Sequence, residues 1–206
     1  MGGREVGSQE EVFAPFPAPR DQLGIAVNVR STLIASSLRS MRERGLWNDY
    51  LLRVSPEWKA PLVEALAGVW LPMEAGIAHY RACDELPLST LQHVSIGREV
   101  GDRIHGTLVG MMVRTAKSAG VTPWSALSQA GRLYTRLFDG GGVSIVKAGP
   151  KEAKWEMIGN PLSRFGYFRD ACRGMWESAI ELFCQKAYVT EMGRTDSSLK
   201  LRLSWA

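Results

Sequence analysis

Apolar and polar positions change their spacing near the middle of the chain. In residues 143–147, 153–158 and 199–205 apolar side chains alternate with polar ones. This period of two is typical of strands that bury one face. In residues 161–186 the apolar side chains recur every three or four positions, which predicts a helix. With a further strand at 188–192, the C-terminal third is predicted to be a β-β-α-β-β unit.

The part of the chain before residue 140 has helical spacing and helix-start signals. Proline follows serine or threonine at Ser55-Pro56 and Thr122-Pro123, the order favoured at helix N-termini. Helices are predicted at residues 29–44, 46–54, 56–67, 72–87, 90–119 and 123–137. The predicted fold class is α+β, with an N-terminal helical layer followed by the β-β-α-β-β unit and its four-stranded antiparallel sheet.

Glycines mark two places where the chain needs space or an unusual backbone. Gly97, Gly101, Gly106 and Gly110 lie inside the longest predicted helix, where each costs about 1 kcal/mol relative to alanine. Either a second helix approaches closely along these positions, or the helix breaks near Gly106. The run 140–142 leads from helix to strand, whereas phosphate-binding loops lead from strand to helix. A turn with positive φ is therefore predicted there.

The first 24 residues form a separate segment by composition. Residues 13–19 alternate proline with phenylalanine and alanine, and proline disfavours both helix and central strand. We expect an extended or disordered arm at 1–24 and a single domain at 25–206. Phe13 and Phe16 could attach the arm to the domain or to a partner protein.

Composition narrows the class of protein. The net charge is +4, and the 25 basic residues are interspersed with 21 acidic ones, which disfavours nucleic-acid binding. An odd set of three distant cysteines favours a reducing compartment. No apolar run is long enough for a membrane span, and the N-terminus lacks the pattern of a signal peptide. A cytoplasmic location is expected.

Candidate chemistry is sparse. His79 and Cys83 are four residues apart on one predicted helix, so both could face one metal ion, and Cys172 could complete the set. A cysteine beside a helical histidine more often fills the core. His105 has no nucleophile in a recognisable motif nearby, so a structural role is favoured. We therefore expect a protein that is not an enzyme and has no metal and no cofactor.

The predicted helix 161–186 would cover the apolar face of the sheet with an unusually aromatic layer. Such a layer is mostly core, and any cavity within it would be apolar. The predicted ligand-binding residues are Met112, Tyr134, Trp155, Phe168, Cys172 and Trp176.

Three segments within residues 70–206 carry a family resemblance. They are residues 86–101, which end in Ile-Gly-Arg-Glu-Val-Gly, then Tyr-x-x-Leu-Phe-Asp-Gly-Gly at 134–141, and the closing Leu-Arg-Leu-Ser-Trp at 201–205. Their order resembles the superfamily of V4R (vinyl-reductase-like) domains, haem-NO-binding domains and Bet3-like subunits of the TRAPP complex. It is most similar to a myxobacterial paralogous family. The resemblance implies a binding module with an apolar pocket between helices and sheet, often dimeric.

The chain departs from the metal-binding members of that superfamily. Leu133-Tyr134 stands where haem-NO-binding domains have a Leu-His pair, and their Tyr-x-Ser-x-Arg motif is absent. Residues 194–206 lack the cysteine of zinc-binding V4R domains. We therefore expect a homodimeric small-molecule sensor or protein-assembly domain with a hydrophobic ligand. One alternative is a metalloprotein or enzyme that uses His79, Cys83 and Cys172. The other is a scaffold without a pocket that recruits a protein partner through its arm.

Overall fold

A computed structural model describes residues 10–66, 68–116 and 122–206, without the side chains of residues 105–116. The helices are α1 (Ser31–Glu43), α2 (Trp47–Arg53), α3 (Pro56–Val63), α4 (Met73–Asp84), α5 (Thr90–Ala116), α6 (Pro123–Leu127), α7 (Ala130–Leu137) and α8 (Gly166–Glu181). The strands are β1 (Glu11–Ala14), β2 (Asn28–Arg30), β3 (Trp70–Pro72), β4 (Phe138–Asp139), β5 (Gly142–Gly149), β6 (Glu152–Ile158), β7 (Ala187–Thr195) and β8 (Ser198–Trp205). In these residues no helix is long and apolar enough to cross a membrane.

The main sheet confirms the predicted α+β class. Its strand order is β1-β5-β6-β8-β7, and every pairing is antiparallel. On β8 the side chains of Leu199, Leu201 and Leu203 are fully buried, and Trp205 is nearly so. Helix α8 contacts strands β7 and β8. The alternating pattern therefore placed the buried face of the sheet correctly.

The N-terminal segment adds a fifth strand to the predicted four. Strand β1 pairs with β5, with Glu11 opposite Lys147. Further along, Arg20 donates two hydrogen bonds, of 2.6 and 2.8 Å, to the carboxylate of Glu156. Phe13 packs against Trp124 with 4.9 Å between ring centroids. Residues 10–24 are thus attached to the sheet along much of their length.

Two helix predictions differ in detail from the structure. The predicted helix 161–186 begins as a 3₁₀ turn at Pro161–Arg164, and α8 proper starts only at Gly166. At that start the Asp84 carboxylate accepts hydrogen bonds from the backbone N–H groups of Gly166 and Tyr167. A carboxylate from another helix therefore satisfies donors that no local side chain caps. The predicted helix 123–137 is divided into α6 and α7.

A small second sheet was not predicted. Strand β2 lies between β3 and β4, and each of these strands has only two or three residues. Such short segments cannot show alternation in the sequence. This sheet joins the beginning of α1 to the end of α7.

Helices α5 and α8 run parallel and pack at very close range. A Cβ atom built on Gly97 would overlap the backbone of Ala171, and one built on Gly174 would overlap the backbone of Val94. Only glycine permits this approach. Since α5 is continuous through residue 106, close helix packing explains the glycines at 97 and 101. The surroundings of Gly106 and Gly110 lie outside the described side chains.

The glycine run between α7 and β5 is a turn with positive φ, as predicted. Gly140 has φ of +102° and Gly141 has φ of +67°. A Cβ atom on Gly141 would also lie 2.5 Å from the hydroxyl oxygen of Tyr134. The turn thus leaves room for that hydroxyl at the end of the sheet.

Candidate ligand-binding cavity

An apolar cavity of about 60 Å³ lies between α7, α8 and the inner face of the main sheet. The helices contribute their buried stripes to it, and strands β5 and β6 contribute their inward-facing residues. The lining comprises Leu33, Ala130, Leu133, Tyr134, Leu137, Phe138, Val143, Trp155, Met157, Phe168, Cys172, Met175 and Trp176. None of these residues carries a charge.

Five of the six side chains predicted to bind a ligand line this one cavity. They are Tyr134, Trp155, Phe168, Cys172 and Trp176. The side chain of Met112 lies outside the described part of the chain. The sequence analysis missed the remaining lining residues, although the stripe of α7 and the alternation of β5 and β6 mark several of them as inward-facing.

The lining is aromatic and electrically neutral. Trp155 and Trp176 meet edge to face, with 5.9 Å between ring centroids, a favourable geometry for aromatic pairs. Although Cys172 keeps some accessible surface, protein atoms enclose its thiol, and burial raises the pKa of that thiol to about 12. Burial also raises the pKa of the Tyr134 hydroxyl well above its ordinary value of 10. Both groups are therefore protonated at neutral pH.

Two residues that line the cavity carry a buried polar atom with no well-formed hydrogen bond among the described residues. They are Trp155, with its indole Nε1, and Tyr134, whose hydroxyl interacts only with the side chain of Asn160, and both residues are 5% exposed. Buried tryptophan N–H groups and tyrosine hydroxyls usually find a partner. The wall thus offers hydrogen-bonding capacity that the protein itself does not use.

Beside the cavity lies a buried string of hydrogen bonds. The Tyr50 hydroxyl is 2.9 Å from Nδ1 of His79, Nε2 of His79 is 3.1 Å from the Ser37 hydroxyl, and that hydroxyl is 2.9 Å from the Tyr167 hydroxyl. All four side chains are almost completely inaccessible to solvent. The string connects α2, α4, α1 and α8 through the core.

His79, which the sequence suggested as a metal ligand, is part of this string. Burial lowers the pKa of His79 to about 3, so the imidazole is neutral, and both of its nitrogens face hydroxyl groups. The Cys83 sulfur is 3.7 Å from Nε2, and burial raises the pKa of this thiol well above its ordinary value. Among the described residues no three His, Cys, Asp or Glu side chains cluster as metal ligands. His79 and Cys83 therefore pack as core residues.

A second void, of about 10 Å³, separates the string from the cavity. Ser37 and Tyr167 line it together with Tyr80, Val100 and Ala171. Four side chains line both spaces, namely Leu33, Phe168, Cys172 and Met175. The cavity and the hydrogen-bonded string are therefore divided by a single layer of side chains.

The sequence analysis overlooked His93, which joins α5 to α8. Its Nδ1 lies 3.2 Å from the carboxylate of Asp170, which also accepts a hydrogen bond from Arg173. These two partners hold the pKa of Asp170 below its ordinary value against the opposing effect of burial. His93 does not line the cavity. His105, the other candidate histidine, lies outside the described side chains.

Comparison with known proteins gives structural neighbours only. No family model matches the chain, and no curated protein sequence matches it. An unliganded Fe(II) H-NOX (haem-NO-binding) protein from K. algicida superimposes with a TM-score of 0.63 at 9% identity, over 86% of this chain and 96% of that one. An oxygen-binding H-NOX domain related to soluble guanylate cyclases gives 0.56 at 12% identity, over 85% and 94%. A T. tengcongensis H-NOX mutant gives 0.54 at 16% identity, over 85% and 97%. At such identities these likenesses establish the fold, as the resemblance to haem-NO-binding domains implied.

Proposed function

We propose that this domain binds a small, largely apolar molecule in the cavity between α7, α8 and the sheet, and that it senses this molecule without haem. The cavity itself is the observation that supports the proposal. It is enclosed by neutral side chains from several elements, so an occupant would contact both the helical layer and the sheet. Binding could then alter how these two layers pack, which is the requirement for a sensor.

Haem does not fit the residues of this site. The cavity of about 60 Å³ is below the roughly 150 Å³ cavity that accommodates benzene, and the rings of Trp155 and Trp176 fill part of the space between helix and sheet. No histidine is among the lining residues. In place of histidine the lining offers Tyr134, Cys172, Met157 and Met175, and burial favours the neutral forms of Tyr134 and Cys172. No lining residue is cationic, so the two propionate groups of haem would also lack a partner there.

The size of the cavity limits the ligand. A space of about 60 Å³ holds a few non-hydrogen atoms, because roughly 10–15 Å³ of cavity volume is enough for one water molecule. A larger ligand requires side chains to move. Leu133 on α7 and Met175 on α8 are only partly buried, and both are flexible enough to open the space between the two helices. Methionine in particular adapts to irregular shapes.

We further propose that the domain is a cytoplasmic homodimer in which ligand binding regulates a protein partner. We also propose that it is related to the V4R branch and to the myxobacterial family. Native mass spectrometry of the freshly purified protein measures the subunit number and any retained small molecule in one experiment. A monomer would remove dimerisation from the proposal and leave ligand binding to be tested separately.

Ligand binding is tested with a hydrocarbon and a variant that fills the cavity. We expect isobutene, which is small enough for this cavity, to shift the indole ¹H–¹⁵N resonances of cavity tryptophans in the wild type. Ala130→Val adds two carbon atoms at the cavity wall and should weaken this binding at least tenfold. Ala126→Val makes the same change on α6, outside the lining, and should leave binding unchanged. Absence of binding to the wild type, or equal binding by both variants, would contradict the proposal.

A further inference from the structure

We infer that Trp155 selects the ligand, and that the ligand is a neutral apolar molecule with one hydrogen-bond-accepting oxygen, such as a ketone or an ether. This inference rests on the proposed function, since it names the chemistry of the same cavity. It concerns which ligand is favoured, whereas the proposed function concerns whether the cavity binds at all.

Trp155 lines the cavity, and its position fixes the indole N–H group beside that space. Trp155 lies in the middle of β6, opposite Ile145 on β5 and Leu201 on β8. Its ring packs edge to face on Trp176. A side chain held on a central strand and by an aromatic neighbour cannot turn easily to find another partner. The buried indole N–H therefore stays unpaired within the described protein.

An indole N–H group is only a donor, so it selects an acceptor. A hydrocarbon in the cavity would leave this donor unsatisfied, whereas an oxygen atom would accept its hydrogen bond. Unsatisfied buried donors are costly, and sites built to hydrogen-bond a ligand discriminate strongly for that reason. The acceptor should be neutral because no lining residue is cationic, and a buried carboxylate without a partner is strongly disfavoured.

Tyr134 is the competing donor, and its geometry is less suitable. Its hydroxyl lies against Gly141, in the turn at the end of the sheet. Trp155 instead faces the opposing helix α8 through Trp176. A tyrosine hydroxyl can also act as donor or acceptor, so it would impose no preference for an acceptor oxygen. Trp155 is therefore assigned as the selecting residue.

The test compares acetone with isobutene, which have nearly the same shape, are smaller than benzene and differ in a carbonyl oxygen. The measured quantity is the ratio of their dissociation constants, because absolute values also contain the different hydration of the two probes. We expect Trp155→Phe to reduce the relative affinity for the ketone about five- to tenfold, the equivalent of one neutral hydrogen bond. Trp124→Phe makes the same change on α6, outside the residues that line the cavity, so it should leave the ratio unchanged.

A measurement on the wild type keeps the inference testable if Trp155→Phe does not fold. The carbonyl stretching band of bound ¹³C-labelled acetone should lie at lower frequency than in an alkane solvent, and one of the seven tryptophan indole protons should shift downfield. An unshifted band would overturn the inference. If the preference for the ketone is unchanged in Trp155→Phe and is lost in Tyr134→Phe, Tyr134 is the selecting residue instead. If neither probe binds, the proposed function is refuted as well. If the ratio of the two dissociation constants is the same in every variant, only the selection of the ligand by Trp155 is refuted.

Discussion

The buried imidazole of His79 makes the stability of this fold depend on pH in a predictable direction. Burial lowers the pKa of His79 to about 3 in the folded protein, whereas the ordinary value of about 6.5 applies to the unfolded chain. Between these values the unfolded state binds a proton that the folded state does not. The free energy of unfolding must therefore fall as the pH decreases from about 6.5 towards 3.

The size of this effect follows from the two pKa values. One pKa unit corresponds to about 1.4 kcal/mol, so His79 alone should lower the free energy of unfolding by about 2 to 3 kcal/mol between pH 6 and pH 4. Carboxylates with depressed pKa values act in the same direction. Glu181 is the clearest of them, since ion pairs with Arg98 and Lys186 hold its pKa at about 2 despite burial. A variant of His79 is needed to isolate the contribution of the imidazole.

His79→Gln provides this comparison because glutamine can still donate and accept hydrogen bonds but does not titrate. Urea unfolding of both proteins at pH 6, 5 and 4 should show the wild type losing about 2 to 3 kcal/mol more than the variant. His79→Leu removes the hydrogen-bond partner of the Tyr50 hydroxyl and should also cost about 1 to 3 kcal/mol at pH 7. Parallel pH profiles for wild type and His79→Gln would refute the argument, because they would mean that the imidazole is protonated in the folded state.

Three further changes test other parts of the structure. Gly174→Ala should destabilise the fold by about 2 to 3 kcal/mol in thermal or urea unfolding, since its Cβ would overlap the backbone of Val94. Gly131→Ala is the control, because its Cβ would meet open space, and it should be neutral or stabilising. Equal losses of stability in Gly174→Ala and Gly131→Ala would refute close packing of α5 and α8. Asp84→Ala removes the cap of α8 and should lower the free energy of unfolding by about 1 kcal/mol. Asp84→Asn should restore part of this loss. An unchanged melting temperature in Asp84→Ala would contradict the role of Asp84 as a cap. Hemin added to the purified protein should give no stoichiometric Soret shift, and metal analysis of untagged protein should find less than one zinc or iron per chain.

The sequence predicted those elements whose side-chain pattern is repeated often enough to be unambiguous. Strand β8 shows four inward-facing apolar residues in alternation, and α8 shows an apolar stripe over several turns. Their burial follows directly from these periods. The same patterns also brought Trp155 and Trp176 to one layer, so five of the thirteen residues that line the candidate cavity could be predicted, although its volume could not.

The features that escaped prediction depend on partners far away in the chain. Strand β1 has four residues in a proline-rich segment, and only its pairing with β5 makes it a strand. The cap of α8 comes from Asp84, some 80 residues earlier. Ser37, Tyr50 and Tyr167 looked like ordinary members of their helices, and only the tertiary structure brings their hydroxyls to His79.

The difference between fold and site explains why sharing the architecture of H-NOX domains does not by itself imply a haem site in this chain. An architecture depends on the spacing of apolar positions, which tolerates many substitutions, so it persists at 9 to 16% identity. A haem site depends on one ligand atom at one position and on a cavity of sufficient size. Here tyrosine follows Leu133, and two tryptophans pack between α8 and β6. These residues are compatible with the period of the helix and the strand, and the space left between them is about 60 Å³. The cavity has an apolar wall beside the unpaired N–H group of Trp155, and we propose that this combination favours a small neutral molecule over a porphyrin.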